Sequence, residues 1–213
     1  IIIVNKQKGR EVMPNEESKN NYINTDFSIG QMTESELKEI RDEYFYSIED
    51  VKILNKSQQW ILDNKSFISP NCCLQIVLKL KGIIDIKVIK NNLVKVTKNN
   101  PVLRTAFFIK DSERSLQVAL TDRSPEVSFS EYLGIKKNDI YYLLEDVLAL
   151  EQRRGFNLKK DRLLRVKVLR FSIDSYAMVV TFPQLIEDGW DMKSIFNGVF
   201  DNQEGNKLVA QMP

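Results

Sequence analysis

The chain has 213 residues, 43% hydrophobic and 28% charged, which is enough for one globular domain with a core of its own and unlike the composition of disorder. Its 31 basic and 29 acidic residues nearly cancel, and no segment interleaves Lys and Arg with aromatics, so an extended nucleic-acid-binding face is excluded. No stretch reaches the roughly 18 continuous apolar residues of a membrane span, and Ile1–Val4 is too short for a signal-peptide core of about 7–15 residues, so a cytoplasmic protein is expected. There is no histidine, which removes the commonest general base and metal ligand from any mechanism. Cys72 and Cys73 are adjacent, a spacing that suits neither a structural disulfide nor a zinc site, and they read as thiols in a reducing compartment.

Residues 1 to about 30 are polar and irregular after the first four, with 15–21 reading as a linker. Thr33 and Glu36 then have the spacing of a capping box, with Met32 and Leu37 as its hydrophobic staple, and the helix is predicted to run to about Tyr44. A second amphipathic helix is predicted after Asn55, with a turn at Ser69-Pro70 beyond it. From Cys73 to Lys81 the chain alternates, Leu74, Ile76, Leu78 and Leu80 against Gln75, Lys79 and Lys81, as in a half-buried strand that Gly82 ends. Ile86, Ile89, Leu93 and Val96 recur at helical spacing. Residues 104–109 and 115–120 flank a charged turn and read as a hairpin.

Between Asn138 and Arg153, Ile140, Leu143, Leu144, Val147 and Leu148 make a helical stripe that stops at Gly155. Residues 164–171 and 176–182 read as strands joined by a turn at 172–175. Asp188-Gly189 then turns the chain into a helix from about Asp191, with Ile195, Phe196, Val199 and Phe200 on one face. This mixture of elements predicts an α/β (α+β) domain.

Pro183-Gln184-Leu185-Ile186-Glu187-Asp188-Gly189 follows the last strand, Leu103-Arg104-Thr105-Ala106-Phe107 opens the hairpin, and Glu151-x-x-Arg154-Gly155-Phe156-Asn157-Leu158 leads to Leu163-Leu164-Arg165-Val166. Further back, Glu49-Asp50 precedes a helix carrying Gln58 and Gln59. In order and spacing these resemble four motifs of the condensation-domain family of nonribosomal peptide synthetases, over residues 47–200. The last of that family's motifs seen here reads His-His-x-x-x-Asp-Gly; this chain keeps Asp-Gly and has Pro183 and Gln184 at the two histidines. Asn24-Thr-Asp-Phe-Ser28 with the capped helix after it resembles the segment that follows epimerisation-type domains, and a generic capped linker helix is the alternative. The resemblance implies an interdomain connector over 1–45 and, over 46–213, one lobe of chloramphenicol-acetyltransferase-like fold, a mixed β-sheet flanked by helices. It also implies a piece of a longer polypeptide.

The family forms amide bonds between thioesters held on carrier domains, so the implied partners are acyl or peptidyl carrier domains, neighbouring synthetase domains and, for a platform, a tailoring enzyme acting in trans. Phosphopantetheine is expected on those carriers; no cofactor or metal is expected on this chain. The family's catalytic histidine corresponds to Gln184, a primary amide that hydrogen-bonds but has no usable basicity near neutral pH. Glu187 substitutes only if it turns into the tunnel. Asp188 corresponds to a structural aspartate that pairs with an arginine, with Arg104 and Arg165 as candidates; a solvated Asp-Gly turn is the plain alternative. Gly189 supplies a turn residue, Pro183 removes a backbone donor where the strand would continue, and Trp190 reads as a core aromatic. These residues imply a catalytically impaired copy or a docking platform; the alternatives are a stand-alone acyltransferase of the same superfamily and an unrelated α/β binding domain.

Overall fold

A computed structural model of the chain describes residues 22–45, 47–63, 73–109, 114–189 and 191–201, without the side chains of 22 and 187–189. In order the elements are β1 (Tyr22–Asn24), β2 (Gln31–Thr33), α1 (Glu34–Tyr44), β3 (Ile48–Ile53), α2 (Lys56–Asp63), β4 (Cys73–Lys81) and α3 (Ile86–Asn99). A 3-10 turn (Pro101–Arg104) leads to β5 (Thr105–Phe108), β6 (Leu116–Leu120), β7 (Glu126–Glu131), α4 (Lys137–Arg154), β8 (Arg165–Arg170) and β9 (Ser175–Pro183). A second 3-10 turn (Gln184–Gly189) and α5 (Met192–Val199) complete the described chain.

The strands form a mixed four-stranded sheet, β4-β9-β8-β7, a three-stranded sheet, β3-β6-β5, and the β1-β2 pair. β9 is antiparallel to both its neighbours, and β7 runs parallel to β8 at the edge. The expected α/β architecture is present, with three sheets where one mixed sheet was expected. Side chains alternate along β9: Tyr176, Met178, Val180 and Phe182 enter the main core with residues of α2, α3 and α5, whereas Ala177 and Val179 lie under α4. The strand that leads to the signature turn is therefore clamped on both faces, which is why residues 176–180 are an unbroken apolar run rather than an alternating one.

The three-stranded sheet separates that core from a second one. Ala106 and Phe108 of β5 pack in the second core and Phe107 between them packs in the main core. Met32, Ile40 and Tyr44 line the second core, with Leu37 packed against it. The predicted capping box is formed: Thr33 Oγ1 accepts from the Glu36 amide at 3.2 Å and Glu36 Oε2 from the Thr33 amide at 2.8 Å. At the other end of α1, the Tyr44 hydroxyl donates to the Lys159 carbonyl at 2.7 Å. Residues 22–45, read from the sequence as connector, thus form a wall of this core.

Four strands were not expected. β1 and β2 are three residues each, in and beside a stretch read as irregular. In β3, Glu49 and Asp50 interrupt the alternation, and a register shift between Ile48 and Asp50 accommodates them in the pairing with β6. In β7, Val127 and Phe129 do alternate with Glu126, Ser128 and Ser130, but two apolar residues in six make too short a signal to stand out. Cys73 is a half-buried thiol; Cys72 and the Ser69-Pro70 turn lie outside the described residues.

Candidate functional site

The site begins where β9 ends. Pro183, buried, is the last strand residue and faces Cys73 on the edge strand β4. A proline is tolerated there because the chain leaves the sheet immediately afterwards, so the missing donor costs no further pairing. Leu185 and Ile186 are buried in the main core beside Phe182, so two apolar anchors hold the first half of the turn. Gln184, between the buried Pro183 and Leu185, is half-buried, and among the described residues its side chain has no hydrogen-bond partner. Asp191 caps the helix that follows, accepting from the Lys193 amide at 3.0 Å and the Ser194 hydroxyl at 2.6 Å. The Glu187 and Asp188 side chains and all of Trp190 lie outside the described residues.

Of the two glutamines left open by the sequence, the structure brings Gln58 to the turn. Its Nε2 donates to the Leu185 carbonyl at 3.1 Å and, more weakly, to Gln117 Oε1 at 3.4 Å. Its Oε1 accepts from the Asn55 amide at 3.0 Å, and Asn55 Oδ1 accepts from the Gln58 amide at 2.8 Å, a reciprocal cap at the start of α2. Gln59 points outward and bonds Asp63 at 3.0 Å.

The two arginines offered as partners of Asp188 are committed elsewhere. Arg104, 4% exposed, donates from Nη1 to Glu49 Oε2 at 2.6 Å, from Nη2 to Glu49 Oε1 at 3.3 Å and from Nε to the Thr97 carbonyl at 3.1 Å; Nη1 also reaches the Leu120 carbonyl. It ties the end of α3 and the three-stranded sheet together. The hydrogen bond from Arg104 holds the Glu49 carboxyl below its ordinary range. Glu49 and Arg104 sit in two separate motifs 55 positions apart, so only the tertiary fold pairs them.

Arg165 faces Glu151: Nε lies 3.1 Å from Oε2 but off the N–H axis, so this contact is ionic rather than a directed hydrogen bond. Its Nη2 donates to the Glu151 carbonyl at 3.2 Å, and the guanidinium stacks 3.9 Å from the centre of the Phe156 ring. Burial pulls the Arg165 guanidinium below its ordinary value, with Glu151 opposing that shift. Glu151 Oε1 also receives Lys167 at 3.0 Å, and the group lines a cleft of about 160 Å³ with Arg154, Glu126 and Thr181. Glu151, Phe156 and Arg165, which stood out as one sequence signature, are thus one packed unit. Asn157 continues it by accepting from the Lys159 and Lys160 amides, both at 3.1 Å.

A family model for the condensation domain matches residues 48–212. The chain belongs to the condensation-domain family. Bacitracin synthase 3 of Bacillus licheniformis is 34% identical over 116 residues, which cover 54% of this chain and 2% of that protein. Surfactin synthase subunit 2 of Bacillus subtilis is 28% identical over 130 residues, 61% of this chain and 4% of that protein. The starter condensation domain of the rhizomide synthetase RzmA superposes with a TM-score of 0.57 at 19% identity over 71% of this chain and 38% of that one. For the SgcC5 protein of Streptomyces globisporus the values are 0.59, 16%, 70% and 35%. The chain therefore spans a few per cent of these curated relatives and a little over a third of these solved structures, with which it shares the fold.

In this condensation domain the turn presents one uncommitted primary amide at the end of a strand clamped on both faces. Such a group donates and accepts hydrogen bonds without changing charge, so it is suited to orienting an amine or a carbonyl and not to removing a proton. Among the described residues no three Cys, Asp or Glu are grouped to hold a metal ion, and no helix is long and apolar enough to cross a membrane.

Proposed function

We propose that the chain is a connector, residues 1–45, followed by the amino-terminal lobe of a peptide-synthetase condensation domain, residues 46–213, whose site receives carrier-bound thioesters by positioning rather than by acid–base chemistry. Gln184 carries the reading. It stands at the end of β9 where the family's motif has its catalytic histidine, half-buried and with no hydrogen-bond partner among the described residues. An amide lacking a useful pKa forfeits general-base assistance, which is worth roughly 10²–10⁴-fold in rate, while alignment of two bound reactants survives. The partners are carrier domains bearing phosphopantetheine and the adjoining synthetase domains. Where the rate without a base is too low for turnover, the lobe serves as a docking platform for those carriers or for a tailoring enzyme acting in trans.

The test is amide formation by the complete two-lobed domain with donor- and acceptor-loaded carriers, followed by intact-protein mass spectrometry. Wild type is expected to form little or no product, and Gln184→His to gain roughly 10²-fold or more. Product from wild type that disappears in Gln184→Ala would establish a working site without imidazole and overturn the platform. No product from either protein, together with no carrier binding, would remove the whole reading.

A further inference from the structure

Leu185 and Ile186 hold the signature turn by apolar contact, which has no direction, and the 3-10 bonds within Gln184–Gly189 relate its peptide planes to one another but not to a neighbouring element. A hydrogen bond does have direction. We propose that Gln58 is the positioning residue of this turn: by holding the Leu185 carbonyl at 3.1 Å it sets the rotation of the backbone immediately after Gln184, and hence where the Gln184 amide stands.

Gln58 is 6% exposed and its two polar atoms do different work. Oε1 completes the cap of α2 by accepting from the Asn55 amide, and Nε2 is left for the turn. A primary amide is the neutral side chain that supplies a donor and an acceptor from one planar group. Glutamate would keep the cap and lose the donor, and an apolar residue would lose both. The tether reaches further than α2. Nε2 also contacts Gln117 Oε1 in β6, and Gln117 Nε2 donates to the Ile53 carbonyl of β3 at 3.3 Å. The turn at the end of the four-stranded sheet is thereby referenced to the three-stranded sheet, the one that packs on residues 22–45. No side chain but Gln58 is seen to bond the Leu185 carbonyl among the described residues, so without it the turn has no side-chain hydrogen bond tying that carbonyl to a neighbouring element.

The structural part of this inference is independent of the proposed function; its consequence for amide formation rests on that reading. The experiment compares the full chain with Gln58→Met, Gln58→Glu and Asn55→Ala by hydrogen exchange at amides 184–186, with urea unfolding as the global control. Asn55→Ala removes the half of the cap made by its own side chain, leaving Gln58 Nε2 on the turn, and is expected to lower global stability with no extra exchange at the turn. The two Gln58 variants are expected to raise exchange at 184–186 by about tenfold beyond the global change. If all three change the turn only in proportion to global stability, Gln58 is a cap and nothing more, and the proposal is overturned. In the complete domain carrying Gln184→His, Gln58→Met is expected to lower kcat about tenfold with KM for the carriers unchanged; an unchanged kcat also overturns it. Should that domain form no product at all, the proposed function is what has failed, and exchange at 184–186 still decides the tether.

Discussion

Replacing Arg104 tests whether the pair with Glu49 or the buried carbonyls carry its contribution. In Arg104→Met the Leu120 carbonyl loses its guanidinium donor, while the Thr97 carbonyl keeps the Asn100 amide at 3.2 Å, so the cost is that of about one stranded buried acceptor, about 1–3 kcal/mol. Glu49, with 39% of its side chain exposed, rehydrates when the guanidinium is gone and adds little. Glu49→Gln keeps a hydrogen-bonding partner for Arg104 and should cost no more than ~1 kcal/mol. Arg104→Lys retains the charge but replaces the fork with a single point donor, and falls between the two. Urea unfolding near neutral pH measures all three, with an unchanged m-value as the condition for comparing midpoints. Against a domain stability of about 5–15 kcal/mol, Arg104→Met should lower the midpoint clearly. If it is no more costly than Glu49→Gln, the Leu120 carbonyl is not being satisfied by Arg104 and the assignment is wrong. The same pair has a pH signature. The Glu49 carboxyl is held below its ordinary value of 4.5 by the Arg104 hydrogen bond, so its contribution is present above that value and is lost as pH falls through the lower folded value. In Arg104→Met this acid-side loss should be smaller, as read from Tm against pH.

Other substitutions probe single features. Gly155, which caps α4 with φ +59° and ψ −162°, has nothing within 4 Å of an added Cβ, so Gly155→Ala should cost about 1–3 kcal/mol from backbone strain alone, seen as a lower urea midpoint. Leu185→Ala should cost about 2–5 kcal/mol by opening the core under the signature turn; a change in Tm smaller than that of an exposed control would show that the turn is not anchored there. Glu126→Gln removes a two-point pair with Arg154, at 2.6 and 2.8 Å, whose side chains are 40% and 49% exposed, and should change stability by less than ~1 kcal/mol.

Elements with strong local signals were legible in the chain. The capping box at Thr33 and Glu36, the stripe of α3, the stop at Gly155 and the hairpin of β5 and β6 all follow from side chains within a few positions of one another. β1, β2, β3 and β7 were not: β1 and β2 are three residues each, Glu49 and Asp50 break the pattern of β3, and β7 has only two apolar positions and takes its hydrogen bonds from β8, far along the chain. The same limit applied to the site. The order of four motifs pointed to the family and to Gln184, but choosing between Gln58 and Gln59 required knowing which face of α2 meets the turn.

By itself the sequence determined which residues are available, and with them the chemistry that is possible: no imidazole anywhere, one primary amide at the head of the signature turn, and an apolar run long enough to bury the strand before it. Only the tertiary structure decided who is paired with whom. Arg104 went to Glu49, Arg165 to Glu151 and Gln58 to Leu185, across separations of 55, 14 and 127 residues. Local periodicity reports which way a side chain faces, whereas a buried charge or amide is satisfied by whatever the packing of sheets brings within about 3 Å of it.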